Sequence, residues 1–264
     1  MLGAIAGDVI GSVYEHQNIK TVDFPLFSKY CHYTDDTVLT VALAETLLRG
    51  SPYVENLKKF YAFYPLAGFG GKFRQWAESE SLLPFNSYGN GSAMRVSPVA
   101  YYKNDLESVL NEAKKSAEVT HNHPEGIKGA QAVAGAIFLA RQGRSKDAIK
   151  AVIEEKFGYD LTQTLDEIRP TYGFDVSCQG SVPQALTAFL EGNSFEDTIR
   201  KAVSIGGDSD TIACISGSIA EAFFGGVPPE IAKKVYSLLD LRLARITREF
   251  IARYCYCFTL KERR

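Results

Sequence analysis

Apolar residues recur along this chain mostly at the three-to-four-residue spacing of helices, and no set of alternating strands emerges. Residues 2–13 are apolar apart from Asp8 and Ser12 and carry Gly3, Gly7 and Gly11 four apart. That spacing puts the three glycines on one helix face, where a second helix can approach closely. Residues 37–49 are apolar nearly all round, which predicts a central helix, and Gly50-Ser51-Pro52 stops it. Further helices are predicted over residues 53–62, 72–81, 105–119, 126–141, 145–157, 161–168 and 181–190, the last with Pro183 in its first turn. A helix start at 97–102 has Pro98 in a first-turn position. Residues 194–204 open on Ser194-Phe195-Glu196-Asp197, a capping pattern. A long run of small and apolar residues then leads from Asp208 to Gly225, followed by helices at 230–240 and 241–256. Loops are expected at 21–32, 64–71, 86–95 and 172–179. The pattern predicts an all-α fold with a ligand cleft between helix ends.

Length and composition narrow this picture. No Ser/Gly- or Pro-rich linker interrupts the 264 residues, so a single compact multi-helix domain over residues 1–264 is expected. With 29 basic and 31 acidic residues well mixed, the net charge is −2, which gives no electrostatic case for a nucleic-acid groove or a membrane-surface protein. The five cysteines (Cys31, Cys178, Cys214, Cys255 and Cys257) are odd in number and lack CxxC spacing, which fits free thiols in a reducing compartment. No basic leader precedes the first apolar run, and no stretch reaches the roughly 20 apolar residues of a membrane span. A cytoplasmic monomer is expected, its tail at 261–264 a solvated terminus.

The chemistry concentrates at two helix starts. Gly206-Gly207 marks a turn, after which Asp208, Ser209, Asp210 and Thr211 crowd the beginning of a helix; Tyr33-Thr34-Asp35-Asp36-Thr37 opens the central helix in the same way. Capping explains one such residue at a helix start, since a cap uses one side-chain oxygen. It does not explain four carboxylates with no basic residue beside them in sequence. Carboxylates gathered without cations must bind a metal or take up protons, and hard oxygen ligands suit Mg²⁺, Mn²⁺ or Ca²⁺ rather than zinc. The loop Ser87-Tyr88-Gly89-Asn90-Gly91 has glycines that tolerate positive φ, so its amides could turn inward around an anion, although Asn-Gly also marks ordinary tight turns. Glu15, where the first helix ends, reads on its own as a surface residue. His121 and His123 lack helical ligand spacing, and a lone histidine beside a helix start is usually a cap.

Taken together, Gly7-Asp8-Val9-Ile10-Gly11-Ser12-Val13-Tyr14-Glu15, Thr34-Asp35-Asp36-Thr37, the stretch Ser87 to Arg95, Thr120-His121 and Gly206-Gly207-Asp208-Ser209-Asp210-Thr211 resemble the ADP-ribosylglycohydrolase family, in the family's order. The resemblance implies an all-helical hydrolase with two divalent cations, Mg²⁺ or Mn²⁺, at the mouth of a cleft. Thr34, Asp35 and Asp36 would ligate metal from one helix start, and Asp208, Asp210 and Thr211 from the other. Glu15, Asp35 and Asp36 are the candidate catalytic carboxylates. Ser87, Tyr88, Gly89, Asn90, Gly91, Met94 and His121 would contact the substrate, an ADP-ribose conjugate whose N- or O-glycosidic bond is cleaved to release ADP-ribose. Two other readings stay open: an ADP-ribose-binding relative without turnover, and a metal-dependent phosphoesterase.

Overall fold

Fifteen α-helices and a short π turn make up the regular structure of residues 1–255, the part of the chain that the computed structural model describes. In order they are α1 (Leu2–Gly11), α2 (Asp35–Arg49), α3 (Tyr53–Phe63), α4 (Gly71–Glu78), the one-turn helices α5 (Gly91–Met94) and α6 (Val99–Tyr102), α7 (Leu106–Glu118), α8 (Pro124–Arg141) and α9 (Lys146–Phe157). The one-turn α10 (Leu165–Ile168), α11 (Cys178–Glu191), α12 (Phe195–Ser204), α13 (Ser209–Phe223), α14 (Pro229–Leu238) and α15 (Leu241–Phe250) follow, and the π turn spans Ile251–Cys255. Among the described residues there is no strand, only an isolated antiparallel bridge between Gly89 and Ser177. Cys31, Cys178 and Cys214 are buried free thiols. Cys257, the tail at 261–264 and the last residue of the helix expected at 241–256 lie outside the described residues. No described helix is long and apolar enough to cross a membrane.

Helix α13 is the hub. Every residue from Ser209 to Ala220 is buried, and the helix packs against α1, α8, α11 and α12. Its closest neighbour is α1, and the glycine face sets how close. A β-carbon at Gly3 would collide with the Gly217 carbonyl, one at Gly7 with the Ala213 carbonyl, and one at Gly11 would stand 2.5 Å from Asp210 Cα. Rising positions on α1 meet falling positions on α13, so the two run antiparallel and the end of α1 meets the start of α13. Helix α2 is tied to the same place. Asp8, buried on α1, accepts hydrogen bonds from the backbone N–H and hydroxyl of both Thr34 and Thr37 at the start of α2. Three helix ends therefore converge, and they carry the acidic clusters with them.

Several boundaries differ from those expected, each for a local reason. Thr34 caps α2 by accepting from Asp36 N, so the helix starts two residues earlier, at Asp35. Ser177 caps α11 at Cys178, which leaves Pro183 inside that helix rather than in its first turn. The helix expected at 161–168 shrinks to one turn. Asp160 turns back to accept from Thr162, and a reciprocal capping box of Thr164 with Glu167 starts the helix only at Leu165.

The glycine contact makes a direct test. Gly7→Val should destabilise the protein by about 1–3 kcal/mol or more, because the new side chain meets backbone that cannot move aside. Gly70→Ala, where an added β-carbon meets nothing within 4 Å, should leave the urea midpoint where it is. Equal midpoints for the two variants would show that the α1–α13 approach is not tight.

Candidate active site

The converging helix ends open into a cavity of about 590 Å³. Its wall includes Glu15, Thr34, Asp35, Asp36, Asp208, Asp210 and Thr211, together with Ser87, Gly89, Asn90, Gly91, Met94 and His121. Residues 175 positions apart meet here: the Thr211 hydroxyl donates to Asp36 Oδ1 at 3.3 Å. Glu15, Asp208 and Asp210 each bring a carboxylate oxygen within 4.8 Å of the others. Tyr88 alone of the expected residues lies off the wall; its half-exposed ring packs edge-on against His123, 5.5 Å between centroids.

Capping does not account for these carboxylates. At α2 the cap is the Thr34 hydroxyl, which leaves Asp35 and Asp36 without that role. At α13 Asp208 occupies the cap position but makes no capping bond; its Oδ2 instead accepts from Asn90 Nδ2 at 2.7 Å. Asp36 Oδ2 is buried with no hydrogen-bond partner. Within ion-pair distance the group has, among the described residues, one basic neighbour, the exposed His16 at 3.7 Å from Glu15. For Glu15, Asp35, Asp36 and Asp210 burial is the main force on protonation, and repulsion from neighbouring carboxylates adds to it. Burial, then Asp8 and Asp208, push the Asp35 carboxyl up to about 8. Asp36 and Asp210 are driven well above the usual carboxylate range by burial and then by neighbouring aspartates. Glu15 is raised by burial and then by Asp208. Hard oxygens, an orphaned buried carboxylate atom and like charges whose one ion-pair partner is an exposed histidine fit a divalent cation site. Glu15, Asp208 and Asp210 are the carboxylates whose oxygens lie close enough together to share an ion, with Asp36 in the same wall.

The 87–91 loop differs from the expected anion nest. Neither Gly89 nor Gly91 takes a positive φ; in this segment that conformation falls to Asn86, at φ 54°. The Gly89 and Asn90 amides are already engaged, with Ser87 Oγ at 3.1 Å and the Val176 carbonyl at 2.7 Å. What the glycines supply is room: a β-carbon at Gly91 would lie 3.2 Å from His121 Nε2. Asn90 holds Asp208 and Ser181 rather than pointing a free amide at the cavity. His123 is the cap of α8, accepting from Glu125 N, while His121 sits in the wall.

Four contributors escape a reading of the sequence alone. Asp8 organises the whole α2 start, yet in sequence it is a single break in an apolar run. Its one signal was its position, a charge on the face-packing helix that carries three glycines. Asn18 grips Gly207 from both sides, donating to its carbonyl at 3.0 Å and accepting from its N–H at 2.7 Å. That clamp holds the turn in which Gly206 and Gly207 both take positive φ, 75° and 69°. Arg95 lies fully buried in the cavity wall. The loop before α4 forms another wall, with Gly68 at φ 100° beside Asp35.

The family model described as ADP-ribosylglycohydrolase matches residues 1–256. The chain is 29% identical to the human (Homo sapiens) protein named ADP-ribosylhydrolase ARH3, over 85% of this chain and 84% of that one. It is 26% identical to ADP-ribosylarginine hydrolase Tri1 of Pseudomonas putida, over 89% and 72%. A solved structure titled ADP-ribosylglycohydrolase-related protein complex superposes with a TM-score of 0.71 at 25% identity, covering 95% of this chain and 96% of its own.

The raised Asp35 pKa fixes the sign of a pH effect. In the unfolded chain Asp35 loses its proton near 3.8, whereas in the fold it keeps it to about 8. Between those values the folded state binds more protons, so this contribution to stability is full at low pH and is lost as pH rises. In chelator, thermal melts of wild type should therefore show a downward contribution between pH 5 and 8, which Asp35→Asn should flatten. An unchanged slope in that variant would count against the crowded acidic site.

Proposed function

Because the chain belongs to the ADP-ribosylglycohydrolase family, we propose that it is a metal-dependent hydrolase of ADP-ribose conjugates that cleaves their N- or O-glycosidic bond and releases ADP-ribose. One observation carries the reading: carboxylates from three distant segments share one cavity, and Asp36 Oδ2 is buried there with no hydrogen-bond partner. The relatives named ADP-ribosylhydrolase ARH3 and ADP-ribosylarginine hydrolase Tri1 support the substrate class.

Two divalent ions, Mg²⁺ or Mn²⁺, held by Asp36, Asp208 and Asp210 with Thr34, Asp35, Thr211 and Glu15 beside them, would supply positive charge that orients sugar hydroxyls and acidifies a water. The remaining work falls to the chain itself. Glycoside cleavage builds positive charge at the anomeric carbon, and the surrounding carboxylates stabilise that charge. Glu15 is half-buried in the cavity wall, with its pKa raised by burial and then by Asp208, and it is placed there to take a proton from an attacking water. Asp35 and Asp36 are the alternative proton acceptors. Ser87, Gly89, Gly91, Met94 and His121 form the wall against which the rest of the ADP-ribosyl group is aligned, so that remote contacts position the reacting bond. Asn90 works indirectly through its hydrogen bond to Asp208.

ADP-ribosyl-arginine, ADP-ribosyl-serine and O-acetyl-ADP-ribose, incubated separately with the protein, should distinguish the acceptor, with free ADP-ribose as product in at least one case. EDTA should abolish turnover and Mg²⁺ or Mn²⁺ should restore it; full activity in EDTA, or inorganic phosphate as the product, would refute the reading. Asp208→Ala should remove nearly all turnover. Asn90→Ala should lower activity or metal affinity by about 10–100-fold, as loss of a residue that orients a ligand does, and an effect below twofold would remove Asn90 from this role.

A further inference from the structure

Arg95 has no exposed surface and lies in the cavity wall. Its Nη2 donates to the Ser116 carbonyl at 3.1 Å and to Thr120 Oγ1 at 2.7 Å, while Nε and Nη1 are buried without a hydrogen-bond partner. A guanidinium this deeply buried and this incompletely paired is costly to keep for packing alone. What it touches leads to the site: Thr120 Oγ1, also fully buried, is 2.7 Å from His121 Nδ1.

The direction of that last hydrogen bond follows from donor counting. Arginine can only donate, so a lone pair of the Thr120 hydroxyl is taken by Arg95. A second lone pair remains, but of the two partners of this buried hydroxyl only His121 Nδ1 can accept its single hydrogen, so that nitrogen takes it and the ring carries its proton on Nε2. Nε2 points at the loop that lines the cavity, where the absence of side chains at Gly91 and Gly89 leaves it uncovered; added β-carbons would stand 3.2 and 3.7 Å away. Phe85 packs on the ring, 5.9 Å between centroids, and fixes its tilt. Burial first, then the Arg95 charge, push the imidazole well below its ordinary pKa, which keeps it neutral.

We propose that Arg95 and Thr120 are a positioning pair that locks His121 in its Nε2–H tautomer, so that the ring donates a hydrogen bond to an oxygen of the bound ADP-ribosyl group. The identity of the ligand rests on the hydrolase reading above; the tautomer does not. Neither Arg95 nor Thr120 needs to touch the substrate, because both act through the ring.

The test is ¹⁵N NMR of the full chain labelled at histidine, with His121 assigned by its disappearance in His121→Gln. Wild type should show the Nε2–H tautomer at neutral pH. Thr120→Val should convert it to a mixture with the Nδ1–H form, and Thr120→Ser should restore it. Arg95→Met should also give a mixture; should it not fold, the Thr120 pair decides. Titration with ADP-ribose should show roughly tenfold weaker binding in Thr120→Val, the size of one neutral hydrogen bond, with recovery in Thr120→Ser. A wild-type Nδ1–H ring, or a Thr120→Val spectrum identical to wild type, would overturn the positioning pair. If wild type shows the Nε2–H ring but binds no ADP-ribose, the hydrolase reading falls and the tautomer lock stands.

Discussion

Like charges in a cleft that is mostly protein repel one another, by about 4 kcal/mol for two unit charges 4 Å apart at an effective dielectric near 20. Glu15, Asp35, Asp36, Asp208 and Asp210 are gathered in such a place, with Asp8 buried behind them. Left to itself a chain would move them apart. The fold prevents it with rigid parts rather than with counter-charges. Antiparallel helices α1 and α13 are locked at glycine distance, Asp8 fastens the start of α2 to α1 through four hydrogen bonds, and Asn18 and Asn90 hold the turn and the carboxylate at Asp208. A site built this way has a standing demand for cations.

The same arrangement separates two kinds of residue in the cavity. The carboxylates face one another and supply charge. Elsewhere in the wall the 87–91 loop, His121 and Met94 give shape and neutral hydrogen-bonding groups, and Arg95 is a buried positive charge in the same wall. Because the loop is pinned to the start of α11 by the Gly89–Ser177 bridge, with Cys178 N donating to the Tyr88 carbonyl, and Asn90 joins it to Asp208, the two groups keep their spacing. An enzyme that must place an anomeric carbon between a water and a set of carboxylates depends on that spacing more than on any one contact.

Much of this was legible in the sequence because local rules and the fold agree. Caps at Ser145, Ser194 and Asp105, and glycines after Arg49 and Phe157, bound helices where periodicity alone places them. Two aspartates and a threonine at a helix start, found twice, exceed what capping needs, and the surplus is what pointed to the site. What stayed hidden are residues whose partners lie far along the chain. Asp8 is explained only by Thr34 and Thr37, Asn18 only by Gly207, and Arg95 only by Thr120. The 87–91 loop was misjudged in one respect for the same reason. Its Gly89 and Asn90 amides are claimed by Ser87 and by Val176, the latter more than eighty residues away, and its glycines pack closely against His121 without taking positive φ.

We propose that the fold holds these carboxylates together so that they bind divalent cations. Anomalous diffraction from crystals grown with Mn²⁺ addresses it most directly. The account predicts two strong peaks in the cleft, within ligand distance of Asp36 on one side and of Asp208 and Asp210 on the other. A cleft free of anomalous signal at saturating Mn²⁺, or peaks confined to surface carboxylates, would contradict it.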